Sequence, residues 1–230
     1  MVLLAEIAIY LIIFMFGATI ASFINVVIYR VPKKISVVTG AGGRSFCPSC
    51  GKTLKPYHLV PIFSYIFLGG KCGFCKKHIP FRYTAVEIIG GAFAVIRVIR
   101  YGFSINSVIV FAILSILVAI SYIDYDTMNI YNSMLIALAI PTVICAVIFP
   151  QVDIISRIIG AFAISLPLFI ITMIIPGSFG GGDIKLMFVG GFLLGWKMVL
   201  VAGFIGIVLG GVYGIYLMII KKEGGKAHMA

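Results

Sequence analysis

Residues 7–29 run for 23 positions without a charged side chain, and uncharged stretches of similar length recur at 101–123, 127–152, 158–182 and 198–220. An apolar helix of roughly 20 residues matches the hydrocarbon thickness of a bilayer, where only a backbone that bonds to itself can reside. Charged residues make up 11% of the 230, whereas a water-soluble domain carries about a quarter. No hydrophilic shell is available, so the chain reads as an all-α polytopic membrane protein. Two weaker apolar stretches are 84–100, interrupted by Glu87 and Arg97, and 184–197, which carries Lys185 and Lys197. Counting both gives about seven transmembrane helices, within a range of about six to eight. The first stretch lacks a small-residue cleavage site and reads as an anchor rather than a removed signal peptide. Residues 223–230 show no structural pattern and read as a tail.

The basic excess, 18 against 7, is concentrated. Ten Lys/Arg and no acid lie between Arg30 and Arg82. Between two membrane segments, such a loop stays on the cytoplasmic side and meets anionic lipid headgroups. That reading displaces nucleic-acid binding, which a basic patch would otherwise suggest. The N-terminus then lies outside, and the chain returns inward at Ile123 and Ile175. A seventh pass brings Lys221 and Lys222 inside as well. Asp124 and Asp183 are thereby expected at one membrane face, the cytoplasmic boundary. The expected organisation is a first helix (1–29), a cytoplasmic loop domain (30–83), a transmembrane domain (84–222) and a tail.

Within the loop, Cys47 and Cys50, then Cys72 and Cys75, form two Cys-x2-Cys knuckles separated by 21 residues. Four thiolates complete a tetrahedral zinc shell with no open position, which is a structural site. Gly51 and Gly73 are expected to supply the turn freedom. Disulfides conflict with a reducing compartment, and a redox pair would need a βαβ setting. His58 and His78 are spare ligand types, and Cys145 reads as a small apolar residue in the membrane.

Seven acids are few enough to weigh singly. Glu6 and Glu223 flank the chain ends, and Asp153 suits a helix cap or a pair with Arg157. Glu87 lies just inside an apolar stretch. Asp124, Asp126 and Asp183 remain. Two carboxylates at one site can share a proton, so that one activates water while the other polarises a carbonyl. Gly180, Gly181 and Gly182 are expected to bend the chain just before Asp183, with Lys185 close behind. Asp124 and Asp126 project about 200° apart on a helix, so only one of them can pair with Asp183.

The segments "GATIASFINVVIYRVP" (17–32), "RYTAVEIIGG" (82–91), "IDYDTMNIYN" (123–132) and "GGGDIKL" (181–187), with the two cysteine pairs between them, resemble the bacterial type IV prepilin peptidases in content and order. The resemblance implies an aspartyl endopeptidase of the bacterial cytoplasmic membrane. It would remove the basic leader of a prepilin or pseudopilin after a glycine, at the cytoplasmic face. It also implies N-methylation of the new terminus with S-adenosylmethionine as donor. On the family pattern the acids are Asp124 and Asp183, with Asp126 as the alternative to Asp124, and Tyr131 stands where the family usually has proline. A second likeness, of "YD" (125–126) and "GGGD" (180–183) to presenilin-like proteases, would favour Asp126. Asn25 and Glu87 fall in motifs that the resemblance links to methylation.

Two competing readings are a transporter, with Asp124, Asp183 and Lys185 as an ion or proton relay, and a zinc-loop scaffold. A relay favours acids near the bilayer midplane, and a scaffold has no need of a glycine-led aspartate.

Overall fold

The structure, a computed structural model, describes residues 2–149 and 151–220. Lys221, Lys222 and the expected tail lie outside the described residues. The chain forms α1 (Val2–Arg30), α2 (Phe63–Phe67), α3 (Arg82–Tyr101), α4 (Ile105–Thr127), α5 (Asn132–Ile148), α6 (Ile154–Ile174), α7 (Gly181–Leu194) and α8 (Trp196–Ile220). Among the described residues there is no strand; Phe46–Thr53 and Lys71–His78 are isolated bridges. The all-helical, multi-pass membrane class therefore holds, with the cysteine loop between α1 and α3.

Among the described residues, four helices are long and apolar enough to cross a bilayer: Leu3–Arg30, Ile105–Thr127, Ile154–Ile174 and Trp196–Tyr216. α5 is a shorter apolar helix of 17 residues. α7, expected at 184–197, instead runs Gly181–Leu194, and its 14 residues reach only about 21 Å against a hydrocarbon thickness near 30 Å. It stops at Gly195, whose φ of 76° suits the left-handed residue that closes a helix.

The chain divides into two compact units, Met1–Ile123 and Asp124–Ala230. In the first, α1 packs along α3. A Cβ on Gly17 would stand 2.6 Å from that of Ala94, and one on Gly91 would stand 2.6 Å from the Phe14 ring, so bare backbone is what lets the helices meet. Arg30, at the end of α1, is 2% exposed. Its guanidinium donates to the carbonyls of Ser36, Val37 and Arg44. One of the basic residues expected to meet lipid is thus an internal anchor that gathers the start of the loop.

In the second unit, α7 touches α5, α6 and α8. Gly160 of α6 lies against Gly191 of α7: a Cβ on Gly160 would fall 2.5 Å from the Gly191 oxygen, and one on Gly191 would strike the Gly160 carbonyl. Arg157, 3% exposed, does not pair with Asp153. It donates to the carbonyls of Val152, Phe149, Phe192 and Leu193, so one cation serves the closing carbonyls around α5 and α7. Asp153 caps α6 by accepting from the Ile155 N–H at 3.1 Å.

The glycine contact gives a paired test. A methyl group at Gly190 meets nothing within 4 Å and gains helix propensity of about 1 kcal/mol. The same methyl at Gly191 meets backbone, and overpacking there costs about 1–3 kcal/mol. Gly190→Ala should hold or raise the thermal midpoint in detergent, and Gly191→Ala should lower it. Equal midpoints would mean that the helices slide apart freely.

Candidate active site and metal centre

The two cysteine knuckles are built alike. In the first, Cys47 N–H donates to Lys52 O and Gly51 N–H returns to Cys47 O; in the second, Cys72 N–H donates to Lys77 O and Lys76 N–H returns to Cys72 O. The left-handed corner falls on Gly51 (φ 68°) in one and on Lys76 (φ 59°) in the other. Gly73 therefore does not supply the expected turn. It is small because a Cβ there would lie 2.8 Å from His58 Nε2.

All four thiol sulfurs lie within 4.8 Å of one another and can hold a metal ion. Cys47 Sγ and Cys75 Sγ stand 3.9 Å apart. Zinc at about 2.3 Å from each sulfur places the corners of its tetrahedron about 3.8 Å apart, so the cluster fits that ion. None of the cysteines is in a disulfide. The backbone N–H groups of Cys75 and Phe74 draw the Cys72 thiol down to about 7. The Lys52 N–H pulls Cys50 the same way, yet desolvation and the hydrogen bonds with Cys47 and Cys75 outweigh it and push that thiol up to about 11. Four crowded sulfurs thus begin with one readily ionised member, as metal capture requires. His58 and His78 are not part of the cluster.

Beside the knuckles lies a cavity of about 420 Å³, reached by Ser22, Asn25, Tyr29, His58, Tyr83 and Glu87 among others. Asn25 donates to the Tyr83 carbonyl at 3.0 Å, which ties α1 to the start of α3. Glu87 accepts from the Ile62 N–H at 2.8 Å and from Ser22. His58 Nδ1 is buried without a hydrogen-bond partner. Neither Ser22 nor His58 was singled out from sequence for this cavity, although Ser22 opens the "SFINVVIYR" segment that carries Asn25.

The acids lie in the second unit. α4 does not stop at Ile123 but continues to Thr127, and Met128 N–H closes onto the Asp124 carbonyl at 2.7 Å. Met128 takes φ 52°, which terminates the helix. Asp124 is therefore in the last turn, half-buried, and Asp126 is exposed. Ile130, six residues past Asp124, lies against Gly182, the neighbour of Asp183, so the segments carrying two acids 59 residues apart are brought together. Tyr131 holds φ −79° and ψ 135°, close to the backbone that proline would impose, which is how a tyrosine can stand there.

The glycines before Asp183 act differently from the expected bend. Gly180 is extended, at φ −70° and ψ 139°, and α7 begins at Gly181; the left-handed turn is earlier, at Gly177 (φ 85°). Gly182 is the tight position: its Cβ would lie 2.8 Å from that of Ile130, six residues past Asp124. A Cβ on Gly180 would stand 2.8 Å from Asp183 Oδ2, whereas one on Gly181 would meet nothing. Lys185 Nζ donates to Asn132 Oδ1 at 2.9 Å, joining α7 to the first residue of α5. Within this unit, then, Asp124, Asp183, Gly182 and the Lys185–Asn132 pair occupy one region.

Two family models match: the bacterial peptidase A24 N-terminal domain over residues 15–101, and the type IV leader peptidase family over 109–215. Among curated proteins, the chain is 36% identical over 203 residues to a prepilin leader peptidase/N-methyltransferase of Bacillus subtilis, covering 88% of this chain and 81% of that protein. A protein of the same description from Vibrio cholerae is 34% identical over 209 residues, covering 83% and 80%. One from Burkholderia pseudomallei is 30% identical over 225, covering 84% and 73%. No solved structure matches.

Proposed function

Since the chain belongs to the type IV leader peptidase family, we propose that it cleaves the leader of a prepilin or pseudopilin with Asp124 and Asp183 and then methylates the exposed amino terminus. The observation that supports this reading is the close meeting of the two acid-bearing segments, where Gly182 lies against Ile130 and Lys185 donates to Asn132. In a two-carboxyl mechanism one proton serves both acids. The ionised member takes a proton from water as the water oxygen bonds to the scissile carbon, while the other donates its proton to the carbonyl oxygen. The proton then passes to the leaving amine as the peptide bond breaks. Lys185 donates to Asn132, which ties α7 to the start of α5. Cleavage would occur at the cytoplasmic face of the bacterial inner membrane, with the N-terminus outside.

Methyl transfer belongs to the cavity beside the knuckles. Its volume of about 420 Å³ is in the range of small-ligand sites, and the orphaned Nδ1 of His58 offers a polar contact to an occupant. S-adenosylmethionine, when bound, would supply an activated methyl group. Glu87 is suited to hold the incoming ammonium terminus, and Asn25 ties α1 to the start of α3 through the Tyr83 carbonyl. Zinc on Cys47, Cys50, Cys72 and Cys75 would keep this wall folded.

The test is a two-readout assay on purified protein in detergent, with a prepilin and radiolabelled S-adenosylmethionine. Leader loss followed by methyl incorporation is expected. Glu87→Gln keeps an acceptor for Ile62 but removes the charge. It should lower methyl incorporation more than about tenfold and leave cleavage within about threefold. Parallel loss of both would reduce Glu87 to a support of the fold, and absence of any cleavage would end the peptidase reading.

A further inference from the structure

Leu59 to Leu68, "LVPIFSYIFL", is the most apolar stretch of an otherwise basic loop. It folds as a turn leading into α2 and leaves a ridge uncovered: Phe67 is 83% exposed, Ile66 63% and Phe63 47%. Phe63 and Phe67 stack with their ring centroids 6.4 Å apart, so they form one face. A contiguous exposed apolar patch on a stable fold marks a surface that meets something other than water.

The level of this ridge is fixed by two contacts. The Ile62 N–H is held by Glu87 at 2.8 Å, and Glu87 lies five residues into α3, about 7.5 Å along its axis from Arg82. Tyr65 of α2 meets Phe81 edge-on, with centroids 6.0 Å apart, and Phe81 immediately precedes α3. α2 is thus tied to the height at which α3 begins. Ile62 adopts φ 64°, a strained backbone for a β-branched residue, so the ridge is held in place against a local cost. Exposed Lys55 and Lys71 flank it in sequence, and the loop from Arg30 to Arg82 contains no acid.

We propose that Phe63, Ile66 and Phe67 form an interfacial ridge that inserts into the headgroup–acyl boundary of the adjoining leaflet, with the flanking lysines on anionic phospholipid. An apolar edge with a basic surround is the arrangement that binds such surfaces. Charge complementarity selects an anionic bilayer over a protein partner. The ridge presses the cysteine loop, and with it the cavity, against the membrane from which a membrane-held substrate terminus would arrive. The inference rests on the membrane-crossing length of α1, along which α3 packs, not on the dyad.

Trp196 is the single tryptophan of the chain, which permits a direct test. Full-length Trp196→Phe/Phe67→Trp protein is reconstituted in vesicles containing phosphatidylglycerol, with lipids brominated near the glycerol end of the acyl chain. Blue-shifted emission, quenched about twofold by the brominated lipid, is the expected result. Replacing phosphatidylglycerol with phosphatidylcholine should weaken the quenching. Ile66→Trp in the same background provides a second probe should Phe67→Trp misfold. Solvent-like, unquenched emission at both positions overturns the proposal, as does equal quenching in neutral and anionic vesicles. A shift caused only by added prepilin would assign the ridge to protein instead. Prepilin cleavage measured in the same vesicles separates failure of the ridge from failure of the peptidase reading.

Discussion

Asp124→Asn and Asp183→Asn should each reduce leader cleavage at least about a thousandfold, with the thermal midpoint in detergent unchanged. General acid–base steps contribute about 10²–10⁴-fold, and groups acting as a unit lose nearly everything when either is removed. Asparagine preserves shape and hydrogen-bonding capacity but can neither take up the water proton nor return it. The double variant should therefore be no worse than the singles. Asp126→Asn should retain cleavage within about threefold, because residue 126 projects about 200° from Asp124 on the helix that the structure extends to Thr127. If Asp126→Asn abolishes cleavage while Asp124→Asn does not, the catalytic role moves two residues along. Methyl transfer to a synthetic, already cleaved peptide should survive in all three variants, since the cavity with Glu87 and Asn25 lies in the other unit.

The second large effect is expected at the cysteine cluster. A structural zinc in a small loop contributes on the order of 10 kcal/mol to its folding, more than the few apolar contacts around the knuckles can replace. Elemental analysis should find one zinc per chain, lost in Cys72→Ala. Trypsin should then cut the loop at its lysines in minutes rather than hours, and methyl incorporation should fall more steeply than cleavage. A wild-type chain without stoichiometric metal would remove the basis for this prediction. Equal loss of both activities would make the loop a support for the whole molecule.

Much of this architecture was legible in the sequence because the relevant signals are local. Uncharged runs mark the helices, and the cysteine spacing marks a four-sulfur cluster. The acids at 124 and 183 stood out because acids are scarce. What could not be read were contacts made at a distance and backbone states that residue type disguises. A charge after an apolar run reads as a helix end, yet α4 passes through Asp124 and stops at Met128, a residue with no preference for left-handed backbone. Glycines 180–182 looked like a hinge, yet what matters is the absence of a side chain at Gly182 facing Ile130. Arg30 and Arg157 were counted among surface charges and an ion pair, whereas both are buried on main-chain carbonyls. Glu87 drew notice as an acid among apolar neighbours, but its partner, the amide of a strained Ile62, is 25 residues away.

The bare backbone at Gly182 also sets a gauge. Where two helices meet through long side chains, rotamer changes can absorb small displacements; here one isoleucine is the spacer between the strand of chain leaving Asp124 and the turn carrying Asp183. At this point the two acid-bearing segments are spaced by the girth of a single side chain. Trimming or widening residue 130 would reset the aspartate pair by a carbon's breadth while leaving every ionisable group in place.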